Sequence, residues 1–301
     1  MTDASTPRRR IAVLGADSFI GQSMFARLRA ARHEPLGTTR RDPRGREGLL
    51  HLDLLNEPTW HDLLKARPDI AIAFFAISKL DECEVGSGSH DINALRIPDL
   101  LERLAHEGCR TVFLSTNSMF GGSRELPDED DPVKPQLAYA RQKHEAELRL
   151  RNLPGELGHV VVRITRSISA DLPPFKSWIA DLRAGKPISA FEDFIFAPMT
   201  LPHVTDGLLR IAMSKHSGVF HLSGTDVTYF DFAREFAAQL ARPLQTVHRT
   251  NSLAEGVHLW FKPQYSALGM RRTTELLGLR PQPFAEVVAH LLASQSSSES
   301  P

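Results

Sequence analysis

The chain has 301 residues, 42% hydrophobic and 24% charged, a mixture that supports a sizeable buried core without a disulfide framework. Lysine plus arginine and aspartate plus glutamate both number 36, so the formal charge is zero. That excludes a generally basic surface of the kind that holds nucleic acid by counterion release. The two cysteines, Cys83 and Cys109, form no CxxC pattern and point to a reducing, cytoplasmic setting. Thirteen histidines with no HxxxH pair give a metal site no local support, so none is expected. Residues 1–7 read as a loose leader without the apolar stretch of a signal peptide.

Arg10 to Gly15 predicts a β-branched strand, and Ile20 to Arg32 a helix. Strands follow at Pro35–Thr39 and Leu49–Leu54, then a helix at Pro58–Ala66. Ile70 to Ile77 is the longest apolar run, too short for a bilayer and suited to a buried strand. Asp91–Glu107 has helical periodicity, Thr111–Ser115 is a strand, Leu137–Leu150 a helix and His159–Ile164 a strand. This alternation predicts an α/β fold with a doubly wound parallel Rossmann sheet. After Ser169 several prolines break the rhythm. Helices are expected at Phe175–Ala184, His203–Met213, near Arg272, and at Phe230–Leu240 and Phe284–Ala293, with a strand at Val219–Leu222. The expected division is a dinucleotide-binding domain at 8–168 and 203–224, a smaller C-terminal substrate-binding lobe at 169–202 and 225–292, and a Ser-rich tail at 294–301.

Gly15-Ala16-Asp17-Ser18-Phe19-Ile20-Gly21 joins the first strand to the first helix. Gly15 permits a tight turn, the helix N-terminus offers N–H groups and a positive dipole end to a pyrophosphate, and Gly21 allows close packing of helix on sheet. Ser18 stands at the middle glycine position, where its backbone can still approach a phosphate. An NAD site calls for a carboxylate at the end of the second strand, to accept from both ribose hydroxyls. Here that strand ends Thr38-Thr39-Arg40-Arg41. Arg40 and Arg41 suit a 2′-phosphate, which favours NADP(H); a solvated basic loop that includes Arg44 and Arg46 is the plainer reading. Asp53-Leu54 reads either as a contact to adenine or as a turn opened by an aspartate.

Tyr139 and Lys143 are four residues apart in a predicted helix and share a face. A nearby ammonium favours the phenolate, which fits the pair for proton exchange at a carbonyl or carbinol oxygen. Lys143 could also hold a nicotinamide ribose. Thr116 and Ser118, after the strand from Thr111, both offer a hydroxyl to orient the same oxygen.

Together these stretches resemble an extended short-chain dehydrogenase/reductase. They are most similar to the dTDP-4-dehydrorhamnose reductase-like, sugar-nucleotide reductase/epimerase branch. The resemblance rests on GADSFIG, Asp53-Leu54, AFFAIS, Asn93, STNSMFG, the Tyr139/Lys143 pair, APMTLPHVTD and GVFHLSG. It implies Thr116, rather than Ser118, as the hydroxyl member of a triad with Tyr139 and Lys143. It implies reduction of a carbonyl on a small-molecule substrate, commonly a nucleotide sugar, by hydride transfer from NADP(H). It places Phe75, Ala76 and Ile77 along the cofactor cleft and Arg163 near the nicotinamide. Asn117, Ser118, Arg166 and His203 become substrate candidates, and a homodimer would form through the helices at 91–107 and 137–150.

Two other readings stand beside the reductase: an epimerase with transient oxidation, and a non-catalytic NADP-binding regulatory subunit. Asn117 and Ser118 fall where a dehydratase needs acids. Phe175 and Trp178 read either as a stack for a ring substrate or as core, Trp260-Phe261 as core, Asp128–Asp131 as a solvated acidic loop, His144 as a solvent or interface residue, and Cys83 as no nucleophile.

Overall fold

The computed structural model describes residues 7–86, 88–151, 153, 158–257 and 261–298, with 296–298 by backbone alone. The leader at 1–6, Trp260 and the tail at 299–301 lie outside the described residues. Two compact units are formed, one from 1–119, 133–163 and 205–220, the other from 120–132, 164–204 and 221–301.

In chain order the elements begin β1 (Arg10–Leu14), α1 (Phe19–Ala30), β2 (Glu34–Thr39), β3 (Leu49–His51), α2 (His61–Lys65) and β4 (Ile70–Ala73). They continue α3 (Leu80–Glu84), α4 (Ile97–His106), β5 (Arg110–Thr116), α5 (Ala138–Leu150), β6 (Val160–Ile164) and β7 (Arg166–Ile168). Next come α6 (Phe175–Arg183), β8 (Ile188–Phe191), β9 (Ile195–Phe196), β10 (Pro198–Thr200), α7 (Leu201–Met213) and β11 (Gly218–Leu222). The last are β12 (Val227–Thr228), α8 (Tyr229–Gln239), β13 (Val247–Thr250), α9 (Arg271–Leu277) and α10 (Phe284–Ser298).

The central sheet has seven strands in the order β11-β6-β5-β4-β1-β2-β3, a doubly wound Rossmann arrangement as expected. The pairs from β3 through β5 are parallel. Residues 11–14 of β1 and all of β4 are buried, which is why these strands lack alternation. On α4 the buried Ile97, Leu100, Leu101 and Leu104 make one helical stripe.

Two expected strands are shorter in the structure. β3 stops at His51 because the Asp53 carboxylate accepts from the Leu55 N–H at 3.0 Å and turns the chain. β4 stops at Ala73, since the Ile77 N–H and carbonyl bond to the Asn93 side chain instead of a neighbouring strand. The helix expected at 91–107 opens with a π-helical turn at Asp91–Arg96 before α4. The Ser-rich end is helical through Ser298, not a tail from 294.

Arg110 is 3% exposed at the start of β5. Its Nε donates to Ala212 O at 3.1 Å and its Nη2 to His216 O, at the carbonyl end of α7 where positive charge is favoured. In the second unit Phe175, Trp178, Phe196, Phe232 and Phe236 form the aromatic heart of the core, with Phe175 and Phe232 edge to face at 5.6 Å. Three short strand pairs, β10–β7, β12–β9 and β13–β8, surround it.

The acidic run 128–131 is solvated only in part: Asp130 is exposed, while Glu129 is not. Glu129 is 4% exposed, and its carboxylate accepts from the N–H groups of Thr273 (3.0 Å) and Arg272 (3.1 Å) and from Thr273 Oγ1 (2.8 Å). It satisfies the open N–H groups of α9 from 144 residues away in sequence. Among the described residues, no helix is long and apolar enough to cross a membrane. Replacing Glu129 by Gln sets an amide against these donors and should lower stability by about 1–3 kcal/mol in urea unfolding. Asp130→Asn, at an exposed ion pair, should cost less than about 1 kcal/mol; equal losses would show that the cap contributes nothing special.

Candidate active site

The glycine turn follows β1. Gly15 has φ +86°, and a Cβ on it would press on the Phe75 backbone and Cβ at 3.1 Å, so the residue after β1 must be bare. The turn is tied to β2 by Gly15 N–H donating to Thr38 Oγ1 at 3.0 Å and Ala16 N–H to Thr38 O at 2.9 Å. Gly21 has a different reason from the one expected. A Cβ there would collide with the Gly15 carbonyl and the Ser18 hydroxyl, so the helix closes on its own turn rather than on the sheet. Ser18 caps α1, its Oγ accepting from Gly21 N–H at 3.1 Å. Phe19 and Ile20 keep the first N–H groups of the helix, and Phe19 is 41% exposed.

At the end of β2, Arg40 and Arg41 are exposed, and neither guanidinium makes a hydrogen bond among the described residues. Asp17 reaches the same strand end. Its Oδ2 accepts from Thr39 Oγ1 and its Oδ1 from Arg46 Nη1 at 2.9 Å. The Thr39 hydroxyl, then the Arg46 and Arg41 guanidiniums, hold its carboxyl below the usual range, against a smaller opposing effect of burial. Sequence reasoning named Asp17 for its place in the turn and missed its reach to β2; nothing local announced that.

Asp53 opens a turn, one of its two expected roles, and Leu54 is buried in the core of the first unit. Phe75 packs on Gly15, and Ile77 is held by Asn93, which is fully buried. Asn93 Oδ1 accepts from Ile77 N–H at 3.0 Å, while Nδ2 donates to Ile77 O at 2.8 Å and Gln142 Oε1 at 2.9 Å. Gln142 Nε2 then donates to Ser89 Oγ at 2.9 Å. This chain fastens α5 to the segment after β4, and the π-helical turn carries Asn93 inward.

On α5, Tyr139 is half-buried and Lys143 is 2% exposed. Neither the phenol nor the ammonium makes a hydrogen bond among the described residues. The Lys143 Nζ lies 3.8 Å from the centroid of the Phe113 ring on β5. Burial pulls the Lys143 ammonium down to about 7, with Glu147 one turn on acting weakly in the other direction. Burial likewise pushes the Tyr139 phenol up to about 12, with the Cys83 sulfur adding to the rise. The expected lowering of the phenol is therefore reversed, because its own burial disfavours the charged phenolate.

Thr116 ends β5 at 8% exposed, its Oγ1 accepting from Ser118 N–H at 3.1 Å and lying 3.5 Å from Asn117 Oδ1. The Ser118 hydroxyl has no partner among the described residues. Arg163 departs from the cofactor role expected of it. It is 3% exposed and bidentate on Glu147, Nε to Oε1 at 3.2 Å and Nη2 to Oε2 at 2.8 Å. Arg166 is exposed on β7 and His203 half-buried in the first turn of α7, both in the second unit. Cys83 is buried with its thiol pushed up, and donates to Ile77 O at 3.3 Å. His144 is half-buried with Nδ1 enclosed and unpartnered. No group of three metal-ligating side chains is assembled among the described residues.

The residues fit a nicotinamide dinucleotide on the structure's own terms. The turn is bare where a Cβ would close it, and a buried ammonium lacks an acceptor. Asn93→Leu should orphan the Ile77 backbone groups and cost about 1–3 kcal/mol for each group left unpaired, read by urea unfolding. A loss no larger than an exposed substitution gives, about 0.5 kcal/mol, would show that the network does not hold α5.

Three solved structures share the fold across nearly the full chain. dTDP-4-dehydrorhamnose reductase from Bacillus anthracis, in complex with NADP, superposes with a TM-score of 0.79 at 21% identity, covering 96% of this chain and 100% of that one. The reductase from Yersinia enterocolitica gives 0.78 at 19%, covering 95% and 99%. dTDP-glucose 4,6-dehydratase from Bacillus anthracis, in complex with NAD, gives 0.76 at 14%, covering 97% of each chain. No curated protein matches the chain. The model of the RmlD substrate binding domain matches residues 9–297. On that match the chain belongs to the RmlD substrate-binding-domain family, the family of the dTDP-4-dehydrorhamnose reductases.

Proposed function

We propose that the protein is an NADP(H)-dependent reductase of the extended short-chain dehydrogenase/reductase type. It would act on a carbonyl of a sugar-like, nucleotide-activated substrate. The observation that carries this reading is the pair on α5: a phenol and a buried ammonium, four residues apart, neither hydrogen-bonded within the described chain. A buried ammonium of this kind is costly unless a ligand completes it.

A bound nicotinamide dinucleotide supplies the hydride. The Phe19 and Ile20 N–H groups and the bare turn at Gly15 receive its pyrophosphate, and Lys143 donates to ribose hydroxyls. Phe75, Ala76 and Ile77 form one wall of its cleft, and Arg40 and Arg41 favour a 2′-phosphate. Tyr139 is a phenol at neutral pH, as an ordinary tyrosine is, and burial holds it further on the protonated side, so it has a proton to give to a carbonyl oxygen. Thr116 shares and orients the same oxygen. Asn117, Ser118, Arg166 and His203 contact the remainder of the substrate. The reading carries with it a cytoplasmic homodimer, formed through the helical faces at 91–107 and 137–150.

The test is NADPH oxidation followed at 340 nm with dTDP-4-dehydrorhamnose and related keto-sugar nucleotides. Turnover should fall by about 10²–10⁴-fold in Tyr139→Phe while NADPH binding persists. Full turnover in that variant, or none in the wild type with every keto-sugar, would refute the reading.

Lys143→Met should separate function from stability. The unfolded chain holds this ammonium at its ordinary 10.5 and the folded chain at about 7. Between these values the unfolded state binds the extra proton, so the lysine's contribution to stability improves as pH rises. At pH 6–7 the Met variant should melt higher than wild type, with the gap closing toward pH 10. A variant that melts lower at pH 6 would show that the cation over Phe113 outweighs desolvation.

A further inference from the structure

A dinucleotide site reads the adenosine ribose at the end of its second strand: a carboxylate there suits a free 2′-hydroxyl, and arginines suit a 2′-phosphate. β2 ends Thr38-Thr39, Arg40 and Arg41 follow it, and no acid stands at that end of the strand. The structure nonetheless sets a carboxylate at this spot, contributed by the glycine turn. Asp17 is fixed on both oxygens, one by the hydroxyl of Thr39, the last residue of β2, and the other by Arg46 Nη1 at 2.9 Å. Arg46 Nη2 also lies 3.5 Å from Thr39 Oγ1. The Asp17 side chain is 29% exposed and that of Arg46 40%, so both can be reached from solvent. Arg46 further borders a cleft of about 370 Å³ between α1 (Gln22, Phe25, Arg29) and Glu47 and Leu49, which leaves its side chain room to move.

A phosphate monoester brought to this strand end meets a fixed negative charge in Asp17. It gains Arg46 only when that guanidinium turns away from its present partner. A ribose hydroxyl meets an acceptor already in place. We propose that Asp17 and Arg46 are the specificity-determining pair for the adenosine 2′ position. Asp17 reads the free hydroxyl, and Arg46 exchanges Asp17 for a 2′-phosphate, which narrows the preference for that phosphate that Arg40 and Arg41 set. The inference rests on the dinucleotide reading of the glycine turn.

Titration calorimetry with 5′-AMP and 2′,5′-ADP tests it without any turnover. Wild type should bind both within about tenfold of each other. Asp17→Asn should tighten 2′,5′-ADP and weaken 5′-AMP, widening the ratio by about tenfold. Arg46→Met should weaken 2′,5′-ADP by about tenfold and leave 5′-AMP within about twofold. Thr39→Val, which frees Asp17 from β2, should shift the ratio in a further, independent variant, with circular dichroism reporting the fold of each. If both nucleotides bind and their ratio stays constant in all three variants, the pair is not the discriminator and the dinucleotide reading stands. The same holds if only Arg40→Ser and Arg41→Ser move the ratio. If wild type binds neither nucleotide, the dinucleotide reading fails and the inference falls with it.

Discussion

An ammonium group taken out of water forfeits hydration worth several kcal/mol, and Lys143 recovers little of it from the chain. It has the face of Phe113 and the distant charge of Glu147, but no hydrogen-bond acceptor among the described residues. The cost is tolerated because the surrounding structure leaves α5 little freedom to let Lys143 retreat. Glu147 is pinned by Arg163, Gln142 by Asn93 and Ser89, and the Ala138 N–H donates to Glu84 at 2.7 Å. With the helix fixed on three sides, the lysine and the tyrosine one turn earlier keep their places whatever the solvation of their tips.

The same fastening explains why β4 ends where it does. The Ile77 backbone is surrendered to an asparagine side chain, so the segment after the strand is positioned from the helical side of the sheet. A wall built in this way moves with α5, and the groups on the two elements hold register with each other. Rigid support of this kind is what lets polar groups wait unpaired at a site.

Much of this was legible in the amino-acid order because it is local. The bare turn, the i and i+4 spacing of Tyr139 and Lys143, and the strand–helix alternation each occupy a few consecutive residues. What escaped were pairings between distant segments. Arg163 looked available until its burial against Glu147 was seen. The charges at 128–131 looked solvated because the N–H groups that Glu129 serves lie in another stretch of chain. Asp17 belonged visibly to the turn, yet its chemistry depends on Thr39 and Arg46, which a loop brings back. The pKa of Tyr139 inverted because sequence spacing reports a neighbour's charge but not its desolvation.

The dependence of α9 on Glu129 also has a bearing on how the chain is made. Residues 120–132 leave the ribosome long before 271–273 exist, so a buried carboxylate must wait without its donors. The second unit therefore cannot complete its fold during synthesis of the first two-thirds of the polypeptide. It closes only after α9 and α10 emerge, and until then the Glu129 carboxylate stays in water without its donors.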